Sequence, residues 1–270
     1  MVEVQSPNLA AIMKIRLLLV DALNLIRRVY AAQPGEDGPE RVEGALESTL
    51  GSLRRALREC EPTHAVIVFE GEGPGWRRQR YAGYKAGRTP MPEALKSGLP
   101  GFEAAFLEEG IVSHSFPGVE ADDVIATLAT KVAGRGGEAV ILSTDRTFLQ
   151  MLSDRIEVRD HFRQRDLDRA FVIEKYGVAP EQFVDFLALC GESTNNIKGV
   201  PGIGAKTAAR LLQEFGTLER LLSVAETLKG RPGDALRKHT EEVLLARTLV
   251  ILQTDLELGL NLKSLRLQTD

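Results

Sequence analysis

The chain has 270 residues, 43% hydrophobic and 27% charged, with a formal net charge of −4. It has room for one large domain or two smaller ones, with an ordinary globular core that needs no disulfide or structural metal. The acidic balance excludes a uniformly basic nucleic-acid binder but not a local basic groove, and the two distant cysteines, Cys60 and Cys190, exclude a disulfide framework or CxxC motif and are expected as free thiols in a reducing cytoplasm.

Met1–Met13 contains no signal-peptide apolar region and is expected as a loose tail, with Met13 an alternative start. No apolar run is long enough to span a bilayer, so no membrane partner is expected. Leu17-Leu18-Leu19-Val20 reads as a buried strand and ends at Asp21. A helical stretch, the turn cluster Gln33–Pro39 and an amphipathic helix over Val42–Cys60 follow, the last with Leu46, Leu50, Leu53 and Leu57 on one face. Ala65–Phe69 is a second strand and ends at Glu70. Residues 71–89 lose apolar content, and Pro90-Met91-Pro92 opens a helix to about Glu109. Ile111–Ser115 is a short strand, and Glu120-Ala121-Asp122-Asp123 opens a helix to Val132. Ala139–Leu142 with Ser143 and Thr144 is a strand that ends at Asp145, before a short helix from Arg146 and an edge strand over Arg155–Arg159.

Strands separated by helices predict an α/β domain whose mixed, mostly parallel central sheet is covered by helices. Beyond Leu167 the strand signal fades into short helices and glycine turns. The expected organisation is therefore a tail at 1–13, an α/β domain at 14–166 and a helical region at 167–270.

Carboxylates at the carboxyl ends of parallel strands lie where open α/β sheets bind ligands. Gathered there, they repel one another and cost desolvation energy that a divalent cation would remove. The pattern points to metal-dependent chemistry on phosphates. Taken singly, Asp122 and Asp123 could complement a helix dipole and Asp145 could be an N-cap; all together at strand ends, they favour a metal site.

Gly199-Val200-Pro201-Gly202-Ile203-Gly204-Ala205-Lys206-Thr207 forms a tight turn between two helices, over about 189–215. Glycines let backbone N–H groups face a phosphate, and the helix from Ala205 to Phe215 presents its positive end. Gly202, Ile203, Gly204, Ala205, Lys206 and Thr207 are the candidate contacts to a duplex backbone, read without sequence preference. An ordinary αα-turn is the bland alternative. Carbonyls of the same loop can converge on K⁺. Upstream, Trp76–Arg88 interleaves cations with aromatics, a pattern suited to unpaired bases and their backbone. Arg77, Arg78, Tyr84, Lys85 and Arg88 are the candidate DNA contacts, with Lys85 and Arg88 placed to stabilise charge on a scissile phosphate.

Together these segments resemble the 5′-nuclease superfamily, which includes flap endonucleases and the 5′-nuclease domain of bacterial DNA polymerase I. The resemblance runs from about Ile15 to Leu265. It is carried by LLLVDALNLIRRVY, THAVIVFE, GWRRQRYAGYKAGRTPMP, EADDVIATLA, STDRTFLQML and RTLVILQTDLEL, which look like exonuclease IX-type bacterial flap endonucleases. It implies a 5′-nuclease or PIN-like fold, with a helical arch over about 71–95 and a helix-hairpin-helix (helix-three-turn-helix) element. It also implies cleavage of 5′-flap or branched DNA with Mg²⁺ or Mn²⁺ in replication or repair.

By motif position, Asp21, Glu70, Glu120 and Asp122 would hold the first metal, with Asp123 adjoining; Lys85 would be the catalytic lysine, and Tyr84 and Arg88 would lie at the arch base. Glu70 stands where the family usually has Asp. In the second site only Asp145 and Glu192 remain acidic, beside Thr147 and Asn195, so one well-held ion and a weak second are expected. The backbone carbonyls of Leu189, Cys190, Lys198, Val200 and Ile203 are the candidate K⁺ ligands. The expected protein is a monomer in the cytoplasm, associated with the nucleoid. A DNA-junction binding protein without catalysis is the alternative, and an RNA-processing PIN-like nuclease is a third reading that the hairpin disfavours.

Overall fold

The computed structural model describes residues 14–267; the expected loose tail at 1–13 lies outside the described residues. A six-stranded sheet has the order β3-β2-β1-β4-β5-β6, with β1 at Arg16–Asp21, β2 at His64–Val68, β3 at Ser113–His114, β4 at Glu138–Leu142, β5 at Ile156–Asp160 and β6 at Arg165–Asp166. The pairs among β1 to β5 are parallel, and β6 returns antiparallel to β5. The strand expected at the edge, Arg155–Arg159, is therefore not the edge: the chain turns at residues 161–164 and covers it with β6.

The helices are α1 (Ala22–Ala32), α2 (Pro39–Cys60), α3 (Trp76–Arg80), α4 (Glu93–Glu108), α5 (Ala121–Ala133), α6 (Arg169–Tyr176), α7 (Phe183–Cys190), α8 (Ala205–Phe215), α9 (Leu218–Ser223), α10 (Arg231–Lys238) and α11 (Thr240–Val250). The stretch after Asp145 is a 3₁₀ helix, Arg146–Met151. Among the described residues no helix is long and apolar enough to cross a membrane.

Strand alternation divides the core into two layers. Leu17, Leu19, Val66, Val68, Ala139 and Ile141 pack toward α5 and the C-terminal helices. Leu18, Val20, Ala65, Ile67, Val140 and Leu142 pack toward α1, α2 and α4. Helix α5 is apolar nearly all round and is buried accordingly. On α2 the most deeply buried stripe is Ala45, Thr49, Leu53, Ala56 and Cys60 rather than the leucine row. Small side chains let the helix approach α1, and Leu46, Leu50 and Leu57 flank the contact, half-buried.

The chain runs β1, β2, β3 in one direction and then crosses to β4 on the other side of β1. That reversal places a crevice beyond the carboxyl ends of β1 and β4. The C-terminal segment then straps back over the sheet layer. Gln253 N donates to Asp123 Oδ1 (2.9 Å), Lys131 Nζ to Leu256 O (2.6 Å) and Leu267 N to Thr63 O (3.2 Å).

Candidate active site and nucleic-acid interface

Parity along the strands decides which carboxylates meet. Leu17, Leu19 and Asp21 share the face of β1 that looks at α5, and Val66 and Val68 share the matching face of β2, two residues before Glu70. Asp21, Glu70, Asp122 and Asp145 accordingly line one cleft, together with Asn24, Arg27, Arg28, Lys85, Arg88, Thr89 and Thr194.

The ends of β1 and β4 are stitched together. Asn24 N donates to Asp21 Oδ1 (3.1 Å), which caps α1, and Ser143 Oγ donates to Asp21 Oδ2 (3.0 Å). The Thr144 N–H and hydroxyl both donate to Asn24 Oδ1 at 2.9 Å. The Thr147 N–H and hydroxyl both donate to Asp145 Oδ1 at 2.8 Å, so Asp145 caps its 3₁₀ helix while lining the cleft.

Burial, with repulsion from Asp145 and Glu70, pushes the Asp21 carboxyl up to about 7. Burial and the same crowding, from Asp145 and Asp21, push Asp122 well above the usual carboxylate range. Among the described residues no trio of Asp, Glu, Cys or His is gathered tightly enough to close around an ion unaided. The donor set nevertheless fits one hard cation: oxygen ligands whose mutual repulsion such an ion would relieve.

Lys85 supplies the positive charge at the edge of this group. Its Nζ donates to Glu70 Oε1 (2.9 Å) and Glu120 Oε1 (2.6 Å). Its backbone sits at φ 54°, in the left-handed region, held by donation of its N–H to Asn195 O (2.8 Å). A non-glycine residue in that region carries strain that the surroundings must support.

Several sequence expectations need correction. Asp123 is not an open metal ligand: Arg77 Nη1 and Nη2 donate to its two oxygens at 2.7 Å each, and Trp76 Nε1 and Gln253 N also donate to it. Arg77 is not a DNA contact. It is 2% exposed, and its remaining donors go to Glu120, Leu249 O and Ile251 O. Glu120 is not free either, since Arg77, Lys85 and the Tyr84 hydroxyl all donate to it. Those two cations hold its carboxyl low against its burial. Tyr84 is buried and cannot stack on a base. Arg78 is exposed, as a phosphate contact requires.

At the second set of positions guanidinium groups already balance the acceptors. Arg146 Nη2 donates to buried Glu192 Oε1 (3.1 Å), and Asn195 N donates to Glu192 Oε2 (2.6 Å). Arg88 Nη2 donates to Asn195 Oδ1 (2.6 Å), and its Nε donates to Thr194 O (3.1 Å). Glu192 is thereby corrected from a metal ligand to the anchor of the 193–195 turn. Arg146, Ser143, Asn24 and Thr194 were missed; Ser143-Thr144 beside Asp145 was the available signal.

The turn between α7 and α8 depends on close backbone approach. A Cβ on Gly199 would lie 2.4 Å from Cys190 C and Gly191 N and 2.5 Å from Leu189 O. Gly202 has φ 84° and an exposed position. Gly204 provides no side-chain cap to α8, so the N–H groups of Ala205, Lys206 and Thr207 begin the helix without a cap. Ile203 is corrected as a DNA contact: its side chain is buried and its N–H donates to Val200 O (2.9 Å). Of the candidate K⁺ ligands, Leu189 O accepts from Val200 N and Val200 O from Ile203 N, each retaining a second lone pair.

A carboxylate cleft at a parallel-sheet switch point, rimmed by Lys85 and Arg88, suits chemistry on phosphate groups. The chain belongs to the 5′-3′ exonuclease family: residues 16–177 match its N-terminal resolvase-like domain and residues 178–270 its C-terminal SAM fold. It is 47% identical over 253 residues to the Flap endonuclease Xni of Aeromonas hydrophila subsp. hydrophila, covering 93% of this chain and 95% of that protein. It is 46% identical to the Flap endonuclease Xni of Tolumonas auensis, covering 93% and 97%. The fold is similar to that of T5 5′-exonuclease, solved with divalent zinc ions (TM-score 0.73, 22% identity, 87% and 89% of the two chains). It also resembles the catalytic core of Rad2 in complex with DNA substrate (TM-score 0.54, 16% identity, 90% and 80%).

Proposed function

We propose that this protein is a metal-dependent, structure-specific flap endonuclease that hydrolyses phosphodiesters at the single-strand to duplex junction of 5′-flap DNA. The observation that carries the reading is the joint placement of Asp21, Glu70, Asp122 and Asp145 in one cleft rimmed by Lys85 and Arg88. The flap-endonuclease relatives that match along nearly the whole chain support it.

Asp21, Asp122 and Asp145, with Glu70, would hold one Mg²⁺ or Mn²⁺, which when bound supplies Lewis acidity and a lowered pKa for water. Asn24, Ser143 and Thr147 fix the orientations of Asp21 and Asp145 through the hydrogen bonds above. Lys85, bridging two carboxylates, covers negative charge that develops on the scissile phosphate. The uncapped start of α8, with Lys206, holds the duplex backbone, and K⁺ at the carbonyls of 189–203 would join the hairpin to a phosphate.

A second reading, a junction-binding protein that does not cut, is favoured by one observation: Arg146–Glu192 and Arg88–Asn195 leave the second set of positions already paired. Cleavage of a labelled 5′ flap with Mg²⁺ or Mn²⁺, an EDTA control and Asp122→Asn decides between them. Metal-dependent junction cutting that Asp122→Asn abolishes is the expected result. Tight flap binding without cutting in either metal selects the second reading.

A further inference from the structure

Phe162 is a large apolar side chain held out into solvent, 51% exposed. It sits at the tip of the β5–β6 turn, against the exposed end of α1, in a depression lined by Arg27, Arg28, Ala31 and Ala32. The tip is built rather than loose. The N–H groups of Phe162 and Arg163 both donate to Asp160 Oδ1 at 3.0 Å. Buried His161 meets the Phe162 ring edge-on from behind, with centroids 6.4 Å apart.

Arg27 and Arg28 share the depression with the ring. Arg28 and Arg163, with Arg165 and Lys175, line an adjoining hollow. Among the described residues Arg28, Arg163 and Lys175 form no ion pair, whereas nearby Arg159 and Arg169 do. The hollow shares Asn24, Arg28, Asp145 and Thr194 with the carboxylate cleft. A second copy of this chain meeting the patch across a two-fold axis would bring like charge. A phosphodiester strand brings the complement, and an unpaired base offers a π-face that an exposed aromatic ring stacks.

We propose that Phe162 is a stacking platform for an unpaired nucleotide beside the junction, with Arg27, Arg28 and Arg163 holding its flanking phosphates. Arg28 lies seven residues beyond Asp21 along α1, a rise of roughly 10 Å, so a strand with a phosphate in the cleft reaches the ring with a neighbouring nucleotide. The platform sets where the unpaired strand enters. This inference rests on the flap reading and adds a positioning residue to it.

The test uses a 5′ flap carrying 2-aminopurine next to the junction, titrated with the full-length protein in EDTA so that the strand is bound uncut. Stacking on Phe162 quenches the fluorophore in the parent. Phe162→Ala is expected to lose the quench and weaken flap binding about tenfold, while blunt duplex binds equally to both. Phe162→Leu, which keeps bulk without a ring, should behave like Phe162→Ala, and Phe162→Trp should restore both signals. Phe162→Ala that quenches and binds like the parent overturns the platform. If the parent meanwhile cuts flaps with Mg²⁺, the flap reading stands without it; if the parent neither binds nor cuts flaps, both fall.

Discussion

The Arg77 guanidinium and the Asp123 carboxylate meet in parallel hydrogen bonds of 2.7 Å, with side chains 2% and 0% exposed. Two charges so deeply buried are tolerated because each is bidentate and further bonded. Asp122 follows from this pair, since it is the preceding residue on α5 and projects into the cleft. Arg77→Ala leaves the buried Asp123 charge without its cation and takes one of two cations from Glu120, and should lower stability by about 3–5 kcal/mol. Urea unfolding measures it, and an unchanged midpoint would remove Arg77 from the foundations of the site.

Metal-free protein should lose stability as the pH rises through the carboxylate crowd. Asp21 moves from 3.8 in the unfolded chain to about 7 in the folded one, so the folded state binds more protons across that interval. Its contribution is therefore complete below 3.8 and lost as pH climbs through about 7. The difference in melting temperature between parent and Asp21→Asn, measured in EDTA, should shrink or reverse over that window. Adding Mg²⁺ should erase the alkaline loss.

His161 works with the opposite sign. Burial, reinforced by Arg28 against the pull of Asp160, lowers its imidazole from 6.5 to about 4, and neither ring nitrogen has a hydrogen-bond partner among the described residues. The unfolded chain binds the extra proton, so this contribution is full above 6.5 and lost as pH falls toward about 4. His161→Leu should flatten the acid limb of the stability profile. A limb of unchanged steepness would show that the ring titrates normally.

Lys85→Ala should cut flap cleavage by about 10²–10³-fold, the size of losing one preorganised donor at a charged transition state. Flap affinity should change far less, because phosphate binding is shared with the α8 hairpin. Single-turnover rates beside equilibrium binding separate the two. A loss confined to affinity would make Lys85 a binding residue only.

At the hairpin, Lys206→Ala should weaken DNA binding about equally across sequences and reduce the slope of log affinity against log salt by about one. Gly199→Ala forces a Cβ into the backbone of Cys190 and Gly191 and should abolish duplex binding while leaving the sheet folded by circular dichroism. A salt slope identical to the parent's excludes Lys206 from the phosphate contacts.

Much of this was legible in the sequence because it was local. The runs ending at Asp21, Glu70 and Asp145 are short and apolar, two of them rich in Val and Ile, and parity then carries their acids to one face. The helix Ala205–Phe215 follows from a glycine start and a glycine stop. What escaped depended on partners far along the chain. Nothing near Arg77 announces that Asp123 and the carbonyls of Leu249 and Ile251 will enclose it, so an arginine in a basic run read as a DNA contact. Glu192 likewise reads as a ligand until Arg146 arrives from 46 residues away. β6, with only Arg165 and Asp166, is too short to give a periodic signal, yet it moves β5 off the edge.

The C-terminal strap has a consequence for cooperativity. Leu249, Ile251 and Gln253 close the cage around Arg77 and Asp123, and Leu267 returns to Thr63 beside β2. The floor of the cleft is thus completed by residues 172 and 174 positions away from Arg77 in the chain. A fragment ending near residue 177 would keep the Arg77–Asp123 pair but strip it of the Leu249 and Ile251 carbonyls and the Gln253 N–H, so the two family segments should melt in one transition.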